Sequence, residues 1–281
     1  MNISAALAAA VEGLERAGVA EYRREASSLL TFVLARPASF LIAHPEYELT
    51  ETESVAFAVA VERRSTREPF QYITGRQEFY GLDFVVEPEV LIPRPETELL
   101  VEAAIHALSA LDHPSFCEIG IGSGCISISI LHSVRAANAF GVDVSPGALA
   151  VAKRNAVRHS VDDRVVLIES DLFGAVTERF DLIISNPPYI PSEDIATLQI
   201  EVRDYEPLTA LSGGPGGLDI VERIIHEAPS HLDKNGALIM EIGIGQSESV
   251  AEMFDQGIWH EPQFLRDLQQ IPRTVIAKLH R

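Results

Sequence analysis

Phe116-Cys117-Glu118-Ile119-Gly120-Ile121-Gly122-Ser123-Gly124 carries an apolar, strand-like run straight into a turn with three glycines, and a helix-like run begins right after it. Glycine lets the backbone turn tightly and approach a ligand closely, and a helix that starts there turns its first N–H groups toward the turn. Further apolar runs at 139–142, 165–168, 182–184, 237–242 and 274–277 are separated by helix-length stretches. That rhythm predicts an α/β fold, a mostly parallel sheet with helices on both faces.

Upstream the pattern changes. Ile3, Leu7, Val11 and Leu14 share one helical face, and a second run over 21–35 places Tyr22, Ala26, Leu29, Leu30 and Val33 alike. A third helix is expected after Thr50, capped by Thr50 or Thr52, with Val55 and Val59 inside. Residues 75–92 turn aromatic and β-branched around Gly81, which predicts a hairpin. Pro93-Arg94-Pro95-Glu96-Thr97-Glu98 then stops the strand, and Thr97 or a nearby acid is placed to start the next helix. The expected organisation is a helical bundle over 1–74, a hairpin linker over 75–92 and an α/β domain over 93–281.

The chain has 281 residues, 47% of them hydrophobic, enough for an ordinary core. Met1-Asn2-Ile3 lacks a basic start and the apolar stretches break too early to span a membrane, so a cytoplasmic protein is expected. Cys117 and Cys125 show no zinc-ligand pattern and are expected to be buried free thiols; no histidine has metal-ligand spacing. A formal net charge of −19 argues against broad, sequence-independent nucleic-acid binding, which needs Lys and Arg to neutralise phosphates. Direct contact with nucleic acid is therefore not expected.

Gly141-Val142-Asp143 ends the next strand about 20 residues after the glycine turn, the spacing at which an acid accepts both hydroxyls of a ribose. Ser145 is left to cap the following helix. Glu169-Ser170-Asp171-Leu172-Phe173 ends the third strand, with Asp171 placed to accept from an adenine amino group and Phe173 a candidate to pack on the ring. A nicotinamide dinucleotide would also suit an acid at this spacing. Three details favour S-adenosylmethionine: the turn is Glu-x-Gly-x-Gly-x-Gly with Glu118 able to meet an ammonium, it holds no Lys or Arg for phosphate, and an unusual tetrapeptide follows the fourth strand.

That tetrapeptide is Asn186-Pro187-Pro188-Tyr189. Two prolines end a strand because neither donates a ladder hydrogen bond, and carbonyls nearby are left free to accept. An Asn side-chain oxygen beside the Pro187 carbonyl offers two acceptors to a planar –NH2 group, and Tyr189 offers a flat face. An exocyclic base amine and a side-chain amide both fit such a clamp. Arg94 and Glu96 read as a salt-bridged or solvated part of the linker, and the Gly213 to Gly217 loop as the lead into a helix, since no Lys-Ser or Lys-Thr follows.

With these residues in place the chain resembles the class I (Rossmann-like) methyltransferases, and within them the PrmC/HemK family of release factor glutamine N5-methyltransferases. Glu68-Pro69-Phe70-Gln71-Tyr72-Ile73-Thr74-Gly75, Ile92-Pro93-Arg94-Pro95-Glu96-Thr97-Glu98, the cofactor turn and the tetrapeptide carry the likeness. Tyr205-Glu206-Pro207, Gly216-Gly217-Leu218-Asp219 and Glu241-Ile242-Gly243 extend it over nearly the whole chain. Two departures stand out: Glu118 where the family usually has Asp, and Gln270 where Gly is common.

The resemblance implies a seven-stranded, mostly parallel sheet behind a helical substrate-recognition domain. It implies S-adenosylmethionine as cofactor, released as S-adenosylhomocysteine and held by Thr97, Glu118, Gly120, Ile121, Gly122, Gly124, Asp143, Val144, Asp171, Leu172, Phe173 and Asn186. Asn186, Pro187 and Tyr189 would be catalytic, and with Pro188 would hold the acceptor. The implied reaction methylates the Gly-Gly-Gln glutamine of class 1 peptide chain release factors, in translation termination, by a monomer that needs no membrane. The competing acceptors are a ribosomal-protein glutamine and an exocyclic amine of DNA or RNA, and the competing class is a non-catalytic binding module on the same fold.

Overall fold

The structure, a computed structural model, describes residues 1–280. It divides into two compact units: Met1–Arg76 with Gln199–Tyr205, and the rest of the described chain.

The first unit contains α1 (Ile3–Arg16), α2 (Tyr22–Leu34), α3 (Ala38–Ala43), α4 (Glu51–Ser65) and α5 (Phe70–Thr74) around a core that includes Ile3, Leu14, Leu29, Leu30 and Phe57. Thr50 caps α4 as expected, in a reciprocal box: the Glu53 N–H donates to Thr50 Oγ1 at 3.3 Å, and the Thr50 N–H to the Glu53 carboxylate at 2.8 Å. The inside face of α4 is a correction. Val55 and Val59 are exposed, and Phe57, Ala60 and Arg64 are buried at helical spacing instead. Apolar residues on both sides of α4 hid which one faces in. Gln199–Tyr205, with a single helical turn at Ile200–Arg203, joins this unit through Glu201, which accepts from Arg64 at 2.9 Å and from Arg67 at 2.7 Å. Burial pushes the Glu201 carboxyl up, but the two arginines outweigh it and hold it down at about 2.

The second unit begins one residue into β1 (Arg76–Phe79), which forms a hairpin with β2 (Leu82–Val85), turned by Tyr80 and Gly81, both at positive φ. It is no bare linker: Phe79 and Phe84 sink into the core of this unit. The buried Asn155 also bonds the Val85 N–H and carbonyl, at 2.8 and 2.9 Å, and donates to the Ser123 carbonyl at 2.8 Å. The alternation then runs α6 (Glu98–Leu108), β3 (Ser115–Ile119), α7 (Cys125–Ser133), β4 (Asn138–Asp143), α8 (Pro146–Arg158), β5 (Val165–Glu169), β6 (Phe180–Ser185), α9 (Asp219–Glu227), β7 (Leu232–Glu241), α10 (Ser247–Glu252), β8 (Gln263–Arg266) and β9 (Pro272–Lys278).

Seven strands among the described residues form one sheet in the order β5-β4-β3-β6-β7-β9-β8, in which only β9 is reversed, running antiparallel to both its neighbours. Side chains alternate along each central strand as a sheet covered on both faces requires. Phe116, Leu182, Ile184 and Ile239 face one core with α6 and α7, whereas Cys117, Ile119, Ile183 and Met240 face the other with α9. Strand order reverses between β3 and β6, so ligands are expected outside the carboxyl ends of those two strands.

Candidate active site

A cleft opens at that switch point, with about 1070 Å³ of space including its mouth. The ends of β3, β4 and β6 line it, together with Thr97, Ser170 to Leu172 and the loop around Thr209.

Glu118 ends β3 and is buried, its Oε2 accepting the Ser127 N–H at 2.9 Å and the Ser127 hydroxyl. Burial pushes this carboxyl up to about 8, against the pull of the two Ser127 bonds. Asp143 ends β4; its two oxygens accept the Gly122 and Ser145 N–H groups, each at 2.9 Å. Burial raises this carboxyl as well, opposed by those backbone bonds. Two bonds leave a carboxylate room for two more donors. Ser145 caps α8, accepting from Ala148 at 3.2 Å, which frees Asp143 from that work as expected. A Cβ on Gly120 or Gly122 would meet nothing within 4 Å, so the turn's inner wall is open. An acid for an ammonium, a second acid for a diol and an open glycine wall fit an S-adenosylmethionine-type group.

Ile121, Val144, Asp171 and Leu172 also line the cleft. Asp171 carries a partner the sequence did not announce: Arg223 of α9 donates to both its oxygens, each at 3.1 Å. Two expected cofactor residues stand elsewhere. Phe173, in the turn four residues past β5, is buried in the α9 core and stacked on His231 at 4.6 Å and 8°. Gly124 is absent from the cleft wall and serves packing: a Cβ there would lie 3.0 Å from Ile128 and 3.4 Å from Ala152, and its φ is +79°.

Asn186, Pro187 and Pro188 line the cleft next to the β3 turn. Asn186 donates from Nδ2 to Thr97 Oγ1 at 3.2 Å, so its Oδ1 is left as an acceptor, and no described donor is bonded to the Pro187 carbonyl. Thr97 caps no helix with its side chain; it supports Asn186 instead. Tyr189 differs from expectation. It lies outside the cleft wall and its hydroxyl donates to Glu241 Oε1 at 3.0 Å, so it anchors the clamp from behind. Burial, with Glu241 beside it, pushes the Tyr189 hydroxyl well above its ordinary value.

Three supports follow, of which the sequence announced only that Arg94 would sit in a salt bridge, without its partner. Gln246 donates to the Tyr189 carbonyl at 2.9 Å while accepting the Gly243 N–H at 2.7 Å. The glycine loop presses on the clamp: a Cβ on Gly217 would stand 2.2 Å from the Tyr189 oxygen, and one on Gly213 2.6 Å from the Pro188 oxygen. Arg94 pairs with the buried Glu206, which also accepts the Ile92 N–H at 3.2 Å. An acid ending an apolar strand, at Glu241, was the other legible sign of this layer.

A doubly covered seven-stranded sheet with an acid-glycine turn after β3 and the Asn-Pro-Pro-Tyr clamp after β6 defines a class I methyltransferase. A PrmC N-terminal domain model matches residues 5–75, and a methyltransferase small domain model matches residues 96–201. The chain is 47% identical to a release factor glutamine methyltransferase of Geobacter sulfurreducens, over 95% of this chain and 93% of that one. It is 38% identical to one of Koribacter versatilis, over 99% of each. The chain belongs to the family of release factor glutamine methyltransferases. A solved methyltransferase from Pyrococcus furiosus shares the fold at 17% identity and a TM-score of 0.51, over 71% of this chain and 90% of that one. The methyltransferase domain supports a cofactor of the S-adenosylmethionine type. No helix among the described residues is long and apolar enough to cross a membrane.

Proposed function

We propose that this chain transfers a methyl group from S-adenosylmethionine to the side-chain amide N5 of the glutamine in the Gly-Gly-Gln motif of class 1 peptide chain release factors, in the cytoplasm and as a monomer. The observation that carries the reading is the orientation of Asn186: its nitrogen is tied to Thr97, so its oxygen and the Pro187 carbonyl remain as two acceptors at the cleft.

A glutamine amide nitrogen is a poor nucleophile, since its lone pair is delocalised into the carbonyl. No side chain at the cleft is basic enough to strip its proton beforehand, so positioning carries much of the rate. Asn186 Oδ1 and the Pro187 carbonyl each accept one amide N–H and hold the lone pair toward the methyl group. Their partial negative charge stabilises positive character as it develops on nitrogen. Bound cofactor would supply an electrophilic methyl on a cationic sulfur; Glu118 would face its ammonium and Asp143 its ribose hydroxyls. The nitrogen gains the methyl carbon and loses one proton to solvent. The helical unit over residues 1–76, matched by the PrmC N-terminal domain, recognises the protein acceptor.

The test offers labelled S-adenosylmethionine with purified release factor, ribosomal protein and DNA in separate reactions. Label is expected in release factor; label confined to DNA or to ribosomal protein would replace this acceptor, and none anywhere would favour a binding module.

A further inference from the structure

Glu118 is 1% exposed, yet it lines the cleft at the end of β3. Its two oxygens are used differently. Oε2 accepts both the Ser127 N–H, at 2.9 Å, and the Ser127 hydroxyl. Oε1 makes no hydrogen bond within the protein, and it is not sealed in: among the described residues, the buried side-chain oxygens without a partner belong to Thr31, Ser129, Glu241 and Thr274. It therefore opens on the cleft, which Gly120 and Gly122 also line.

The split begins in α7. The first N–H groups of a helix have no partner within it, and Gly124, at the N-cap of α7, has no side chain to offer them. Ser127 is the third residue of α7 and fully buried, so its N–H needs an acceptor from elsewhere, and Glu118 of β3 supplies it. One N–H still leaves a carboxylate free to turn about that contact. The hydroxyl reaches the same oxygen from the side chain and removes the freedom. That matters for a glutamate, which has one more rotatable bond than an aspartate and would lose more on being ordered by a ligand. We propose that Ser127 is a positioning residue for the cofactor: its two donors hold Glu118 by Oε2, so that Oε1 is left in one place to receive the ammonium of the cofactor's amino-acid end. The serine offsets the extra methylene of this acid. The inference rests on the S-adenosylmethionine reading given above.

The test is calorimetric titration of the full chain with S-adenosylhomocysteine and with its desamino analogue, which keeps the nucleoside and the carboxylate but has hydrogen in place of the ammonium. Ser127→Ala removes the hydroxyl and keeps the N–H. It is expected to raise the Kd for S-adenosylhomocysteine about 10-fold, the worth of one hydrogen bond to a charged group, and to change that for the desamino analogue by less than about twofold. Ser127→Thr and Ser127→Val, equal in shape, should differ by a similar factor toward S-adenosylhomocysteine, with Ser127→Thr the tighter. In a Glu118→Asp background, where the carboxylate ends one methylene short of Ser127, Ser127→Ala should cost nothing further.

Equal losses for the two ligands, no loss for either, or a penalty that persists in the Glu118→Asp background would overturn the proposal and leave Ser127 a part of the fold alone. If Ser127→Ala melts below the titration temperature, the Ser127→Thr and Ser127→Val pair decides: equal Kd in the two contradicts it. Wild-type protein that binds neither ligand would sink the cofactor reading itself, a separate outcome.

Discussion

Replacing Glu118 by Gln should flatten the pH dependence of stability. The buried carboxyl is held at about 8 against an ordinary 4.5, so between those values the unfolded chain has released a proton that the folded chain keeps. Stability then falls as pH rises through that window, by about 1.4 kcal/mol per pH unit. Over the two and a half units from 4.5 to pH 7 this is about 3 kcal/mol, undiminished by solvent because the side chain is 1% exposed. A glutamine carries no such slope. Its oxygen still accepts from Ser127, but its buried –NH2 lacks a partner, which costs about 1–3 kcal/mol at every pH. Urea denaturation at half-unit steps from pH 5 to 8 should therefore give lines that converge or cross, with Glu118→Gln less stable at pH 5 and no less stable at pH 7.5. Parallel lines would refute the raised carboxyl. Calorimetry adds a second check, since cofactor binding that ionises Glu118 releases a proton below pH 8 in the wild type and none in the variant.

Asn186→Ala is expected to depress kcat by about 100-fold or more with little change in cofactor affinity, read from single-turnover methyl transfer and calorimetry; an equal loss of both would assign Asn186 to the cofactor alone. Gly217→Ala should destabilise the protein by about 2 kcal/mol or displace the clamp, since φ is +76° and the new Cβ would lie 2.2 Å from the Tyr189 oxygen; unchanged melting and unchanged kcat would contradict the close approach. Glu201→Ala leaves Arg64 with Glu25 as its remaining carboxylate partner and should lower stability by about 1–3 kcal/mol, discounted because Glu201 is partly exposed. A Tm within half a degree of wild type would show that pair to be idle.

The parts of the site that lie on strand ends were legible because backbone spacing alone sets them. Glu118, Asp143 and Asn186 follow apolar runs at the carboxyl ends of adjacent parallel strands, and a parallel sheet brings those ends to one edge. Phe173 was illegible because it stands in the turn four residues past β5, after Leu172 at positive φ, where strand alternation no longer says which way a side chain points. Gly124 read as cofactor-facing from its place in the turn; its crowding by Ile128 and Ala152 depends on how α7 packs. The strand β8 (Gln263–Arg266) escaped because four residues at an edge, with Phe264 and Leu265 adjacent rather than alternating, leave no period to detect. Of the layer behind the clamp, the acid Glu241 at the end of β7 was legible but its partner was not: Glu241, Gln246 and Gly217 all lie far from Tyr189 in the chain, and only tertiary structure brings them to it.

The most direct measurement is peptide mass mapping of a release factor after reaction with this protein and S-adenosylmethionine. A single methyl, about 14 Da, on the glutamine of the Gly-Gly-Gln motif, absent with Asn186→Ala, is the expected result. A methyl on any other residue, or one that persists undiminished with Asn186→Ala, would contradict the amide clamp.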